Sequence, residues 1–231
     1  MSFPYKIVDL THTLDPTIPS WTGGCAFSHE IKLDYEQCTT NTKFRVQQLK
    51  MHAGVGTHMD APAHCIVGGK TIDELDINSF LALCIVIDVS DKAHENYIIG
   101  MNDIKSEVLA KSFVMFKTGW EKFWSEPRKY HNNHVFPSVS GEVAKYLVDK
   151  DIVGIGIDTL SPDAPKNGFL VHETILGAGK YIIENAANLD SLPINNSFIM
   201  AFPIKSKGCT ESPIRLVGLV SKVSCNGNGK K

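Results

Sequence analysis

The chain has 231 residues, 43% of them hydrophobic and 21% charged, and its 23 Lys plus Arg against 25 Asp plus Glu leave a formal net charge of -2. These proportions exclude a collagen, a coiled coil and a disordered polymer, and a chain of this length buries a core without disulfide or metal staples. The near-neutral charge lacks the basic excess of a nucleic-acid binder.

In chain order, the N-terminal stretch shows no basic segment followed by an apolar one, so no export signal is expected. The informative segment comes next, over residues 51–64, and is taken up below. A run rich in Leu, Ile and Val over 81–89 predicts a buried strand, and it is too short to span a membrane. Asp103 can cap a helix over 104–111, and 113–117 predicts a second strand. Ser140 can cap a helix over 141–150, where Val143, Ala144, Leu147 and Val148 recur at helical spacing. Strands follow at 152–157, 198–202 and 214–220. Strands interrupted by helices point to a mixed α/β class in one domain, residues 1–225, with a polar tail over 226–231. The six cysteines include no C-x-x-C pair, which argues against a thiolate zinc site. Without an export signal, reduced thiols and a cytoplasmic location are expected. Asp158, at the end of an apolar strand, is expected to cap a turn.

The segment Met51-His52-Ala53-Gly54-Val55-Gly56-Thr57-His58-Met59-Asp60-Ala61-Pro62-Ala63-His64 gathers three of the nine histidines and one carboxylate. Its glycines and proline make the backbone irregular, so the side chains can converge. On an extended backbone His58 and Asp60 share a face. Imidazole with carboxylate suits Zn²⁺ or Mn²⁺ in an open site.

The stretch from Gly56 to His64 resembles the G-T-H-x-D-x-P-x-H signature of the cyclase-like metal-dependent hydrolases, a family that includes kynurenine formamidases and isatin hydrolases. The likeness extends to Asp9-Leu10-Thr11-His12, Ile18-Pro19-Ser20-Trp21, Gly68-Gly69-Lys70-Thr71, Lys117-Thr118-Gly119-Trp120, Ser161-Pro162-Asp163 and Ser212-Pro213-Ile214-Arg215. The resemblance implies a swivelling β/β/α fold, a homodimer or homotetramer, and one or two divalent metals. It implies hydrolysis of an N-formylarylamine, as in tryptophan catabolism, or of a cyclic amide. By position it makes His58, Asp60, His172 and Glu184 metal ligands, His64 the catalytic acid or base, and Trp21 a wall of the substrate pocket. The partner is then a small-molecule substrate, with no nucleic acid and no membrane.

One position departs from the pattern. The family reads H-x-G-T-H, and Gly54 stands at its first histidine. His52, two residues back, lies about 6–7 Å away along a strand and replaces the lost ligand only if the loop bulges. Gly54 therefore predicts a first metal site short of one ligand, or, in the rival reading, a non-catalytic binding protein. A second rival makes Cys65 a nucleophile and His64 its base, although sequence neighbours on a strand point apart.

Overall fold

The computed structural model describes residues 3–222. Its strands are β1 (Tyr5–Asp9), β2 (Phe27–Leu33), β3 (Val46–Met51), β4 (His58–Asp60), β5 (Leu81–Asp88), β6 (Ile98–Ile99), β7 (Phe113–Lys117), β8 (Ser138–Val139), β9 (Gly154–Ile157), β10 (Tyr181–Glu184), β11 (Ser197–Pro203) and β12 (Glu211–Ser221). Its helices are α1 (Pro127–His131), α2 (Gly141–Asp149) and α3 (Leu170–Gly177). The main sheet runs β1-β12-β11-β5-β7-β9-β10-β4, and β4 also pairs with β12, which closes a barrel. The pairs β5–β7, β7–β9 and β9–β10 are parallel, while β10–β4, β4–β12, β12–β11 and β11–β5 are antiparallel. The expected α/β class is the one observed.

The period-2 alternation of the strands sorts side chains into two cores. Ala82, Cys84 and Val86 of β5, Phe113 and Met115 of β7, Tyr181 and Ile183 of β10 and Met59 of β4 fill the barrel. Ile85 and Ile87, Val114 and Phe116, Ile155 and Ile157, and Ile182 face outward and are covered by α2 and α3. This two-sided burial is why β5 and β7 read as continuous apolar runs. On β9 the inward positions are Gly154 and Gly156. A Cβ there would stand 2.6 Å from the Tyr181 carbonyl or 2.8 Å from Met115 Cε, so glycine makes room for the large barrel residues.

The strands at 81–89, 113–117, 152–157, 198–202 and 214–220 are found within a few residues of their expected ends. The expected helix after Ser140 forms, and the Ser140 hydroxyl accepts from the Val143 amide at 3.2 Å. The helix expected over 104–111 does not form. The Asp103 carboxylate turns back instead, accepting from the Gly100 amide, the Tyr97 hydroxyl and Lys92. A short 3₁₀ turn, Met101–Asp103, ends there. With its cap turned away, the segment 104–111 has Val108 as its one buried residue and so no apolar face to hold a helix. Cys25, Cys38, Cys65, Cys84 and Cys209 are free thiols. The expected tail at 226–231 lies outside the described residues. Among the described residues no helix is long and apolar enough to cross a membrane.

Asp158 does cap a turn, but the turn that follows β7 rather than one at the end of its own strand, and from a fully buried position. Its carboxylate accepts from the amides of Thr118, Gly119 and Trp120 and from the Thr118 hydroxyl, at 2.7–3.2 Å. Asp158→Ala should cost about 3 kcal/mol, because several donors lose their acceptor in a dry environment. The effect should read as a lower urea midpoint at unchanged slope. A midpoint equal to that of the wild type would mean that the turn is held by other contacts.

Candidate active site

β4 is three residues long, and both of its edges are paired. Across one edge Asp60 faces Ile182 and His58 faces Glu184. Across the other, Asp60 faces Glu211 and His58 faces Pro213. Directly opposed residues share a face of a sheet. Since Met59 points into the barrel, His58, Asp60, Glu184 and Glu211 all stand on its outer surface. Helix α3, packed on the same surface, adds His172 from its first turn.

Each imidazole is fixed by its Nδ1. Gly56 has a φ of +61°, a conformation that suits glycine, and its carbonyl accepts from His58 Nδ1 at 2.9 Å and from the Asn185 side-chain amide at 2.9 Å. The Asp163 carboxylate accepts from His172 Nδ1 at 2.8 Å and from the first-turn amides of Val171 and His172 at 3.0 and 2.9 Å. Asp163 thus caps α3 and sets its histidine in one stroke. With Nδ1 donating, each Nε2 is left facing the carboxylates, where it can carry a proton or ligate a cation.

His58 Nε2 lies 3.4 Å from Asp60 Oδ1 and 3.4 Å from Glu184 Oε2. His172 Nε2 lies 3.8 Å from Asp60 Oδ2 and 3.5 Å from Glu184 Oε1. These are contacts between charges rather than well-formed hydrogen bonds. Asp60 is 1% exposed, and neither of its oxygens has a hydrogen-bond donor. Two sets of ligand atoms converge within 4.8 Å and share Asp60: one from His58, Asp60 and Glu211, the other from Asp60, His172 and Glu184.

The electrostatics reflect the crowding. Burial disfavours a charged His58, but the Asp60 and Glu184 carboxylates outweigh it and push the imidazole up to about 10. His172 is raised to about 9, with burial again opposed by its bond to Asp163 and by Glu184 and Asp60. Burial and then the Asp60 charge push Glu184 up to about 8. Protons gather in this cluster, and a cation entering it must displace them.

The site floors a cavity of about 650 Å³ whose walls include Trp21, Phe169 and Leu160. His64, on the 3₁₀ turn Pro62–His64, stands at the mouth with its side chain about a third exposed. Its Nδ1 is 3.5 Å from Glu211 Oε2, and the Glu211 carboxylate is the main cause that raises its pKa. Trp21 lines the cavity 6.2 Å from Phe169, ring to ring. The Trp21 carbonyl accepts from the Nε2 atoms of His131 and His134 at 3.0 and 2.8 Å. These two histidines therefore hold the backbone of Trp21 at the wall of the cavity. His52 is exposed on the rim and belongs to neither ligand set. The Cys65 thiol is pushed up by burial and by the charges of Glu173, Asp60 and Asp163, the reverse of an activated nucleophile.

Sequence reading brought His58, Asp60, His64, His172, Glu184 and Trp21 to one cavity. It assigned no role to Asp163 and missed Glu211. A lone glutamate at the start of a strand carries no local signal, and only its register against β4 reveals it.

The family model described as Putative cyclase matches residues 8–164. The chain is 31% identical over 249 residues to an isatin hydrolase of Roseibium aggregatum, covering 96% of this chain and 94% of the relative. It is 27% identical over 212 residues to a kynurenine formamidase of Bacillus cereus, covering 91% and 95%. The structure of isatin hydrolase A from Labrenzia aggregata, bound to benzyl benzoate, superposes with a TM-score of 0.84 at 28% identity, over 95% of each chain. That of a potential metal-dependent hydrolase with cyclase activity superposes with a TM-score of 0.76 at 27% identity, over 95% of this chain and all of the other.

Removing Asp163 should loosen helix and histidine together. Asp163→Ala should lower stability by about 2 kcal/mol, since two first-turn amides and a buried ring N–H lose their acceptor. In NMR spectra of the metal-free protein the His172 ring should lose its protected Nδ1 proton. A His172 resonance identical to that of the wild type would show that Asp163 does not orient the ring.

Proposed function

The chain belongs to the cyclase family, and we propose that it is a metal-dependent hydrolase acting on an amide bond of an aromatic substrate. The bond is an N-formyl group on an arylamine, of the N-formylkynurenine kind, or a cyclic amide of the isatin kind. The observation that carries this reading is Asp60: a buried carboxylate without a hydrogen-bond donor, set between the Nε2 atoms of two histidines. A carboxylate buried in this way is costly unless a cation compensates it, either protons on the two imidazoles or a metal ion that displaces them. The donors fit such an ion. His58, Asp60, His172 and Glu184 would hold Zn²⁺ or Mn²⁺, both of which accept imidazole and carboxylate. The bound ion supplies Lewis acidity toward a carbonyl oxygen and toward water.

The protein's own groups do the rest. His64 stands within reach of the cavity but outside the buried ligand cluster. It takes the proton of the attacking water and returns it to the leaving nitrogen. The Glu211 carboxylate behind it favours its proton-donating form, the form the leaving nitrogen needs. Trp21 and Phe169 offer flat apolar surface for an aromatic ring, and Leu160 adds to the same wall. The raised pKa of Cys65 speaks against a thiol mechanism.

A homodimer or homotetramer also fits this reading. In the ribbon β2–β3, Ile31, Leu49 and Val46 are 45%, 56% and 49% exposed, and the pairing of His29 with Leu49 and of Ile31 with Gln47 sets Ile31 and Leu49 on one face. Apolar residues exposed together on one face of a ribbon suit contact with a second copy.

Asp60→Ala should purify without bound metal yet fold. His64→Ala should keep its metal and lose at least ~100-fold in kcat on N-formylarylamines or cyclic amides. Elemental analysis with turnover assays reads both, and a His64→Ala variant as fast as the wild type would remove the proton shuttle. By sedimentation, the double variant Ile31→Glu with Leu49→Glu should shift the assembly toward monomer. An unchanged sedimentation coefficient would move the interface elsewhere.

A further inference from the structure

We infer that Glu211 is a ligand of a first cation site with His58 and Asp60, and that Gly54 is the residue that leaves its carboxylate room. The inference rests on the metal-dependent reading above and adds to it a ligand that the motif does not contain.

Three observations carry it. First, register places Glu211 directly opposite Asp60 across the seam where β4 meets β12. Its carboxylate, His58 and Asp60 form a convergent set of ligand atoms that shares only Asp60 with the set containing His172 and Glu184. Second, the space above Gly54 is already taken. A Cβ at position 54 would stand 2.0 Å from Glu211 Oε1, 3.0 Å from Glu211 Cδ and 3.3 Å from His58 Nε2. The backbone of Gly54 is outside the left-handed region, so its conformation does not call for glycine. What stands over it is the far end of the Glu211 side chain. A side chain at position 54 and the carboxylate of Glu211 thus compete for one volume beside the same imidazole nitrogen. The position that read as a lost ligand is compensated from another strand, while His52 stays exposed on the rim. Third, the unpartnered carboxylate of Asp60 presents Oδ1 toward His58 and Oδ2 toward His172, one oxygen to each set. Asp60 is placed to bridge two ions.

The chemistry of the donors indicates the ion. Each set offers one imidazole and two carboxylates, an oxygen-rich environment that narrows the usual preference for Zn²⁺ over Mn²⁺. Glu211 also has a second role available. Oε1 fills the space above Gly54, and Oε2 stands 3.5 Å from His64 Nδ1. One carboxylate thereby joins the first cation site to the histidine at the cavity mouth.

The test is titration of the metal-free full-length protein with MnCl₂ and with ZnCl₂, followed by calorimetry and by Mn²⁺ electron paramagnetic resonance. The wild type should bind two ions, and two Mn²⁺ bridged by Asp60 should give the broadened signal of a coupled pair. Glu211→Ala and the isosteric Glu211→Gln should each bind one ion and show the six-line signal of isolated Mn²⁺. Gly54→Ala should weaken the first ion by ~10-fold or more, because its methyl group displaces the carboxylate. The same substitution should have no effect on metal binding in the Glu211→Ala background. His52→Ala should bind two ions as the wild type does. Glu211 variants that retain two ions at wild-type affinity overturn the inference and leave the hydrolase reading standing. A wild type that binds no divalent ion overturns both.

Discussion

β4 is hydrogen-bonded along both edges, to β10 and to β12, and this double pairing closes the barrel and assembles the site in the same act. Its middle residue, Met59, packs into the barrel, which forces His58 and Asp60 outward. The partner strands then deliver Glu184 and Glu211 at matching positions. A slip of one residue in either pairing would turn the opposing carboxylate into the barrel or move it past its partner. Fold and chemistry are therefore bound to one register, and the buried mass of Met59, Ile183 and Ile182 on the two cores maintains it.

The cluster is held against its own electrostatics. Two carboxylates and two imidazoles lie within 4 Å contacts of one another in a buried pocket. The usual satisfaction of buried oxygens by donors is missing at Asp60. The supporting shell shows the opposite character. Asp163, the Gly56 carbonyl and Asn185 are fully engaged in hydrogen bonds of ordinary length. A rigid, satisfied frame around an unsatisfied centre is the arrangement expected where binding of an ion supplies the missing compensation.

Much of this was legible in the amino-acid sequence where the signal was local. Apolar runs buried on both faces announced β5, β7 and the outer half of β9, and Ser140 with its helical spacing announced α2. The crowded segment from His52 to His64 announced the site, and its likeness to a known signature supplied His172 and Glu184, whose own surroundings are unremarkable. Other features depend on contacts between distant segments. Asp103 looked like a cap for the residues that follow and instead binds backward to Gly100, Tyr97 and Lys92. Asp163 caps a helix that begins seven residues later, beyond the reach of any capping pattern. Glu211 meets Asp60 only because strands about 150 residues apart are paired. Gly54 was visible as a departure, but its meaning lay in a side chain on another strand.

The central claim is that Asp60 lies between two cation sites, one of them completed by Glu211. Anomalous diffraction from crystals grown with Mn²⁺ tests it most directly. The account predicts two anomalous peaks, one on each side of the Asp60 carboxylate, with the first also in contact with Glu211 and His58 and the second with His172 and Glu184. A single peak remote from Glu211, or no peak at Asp60, would contradict it.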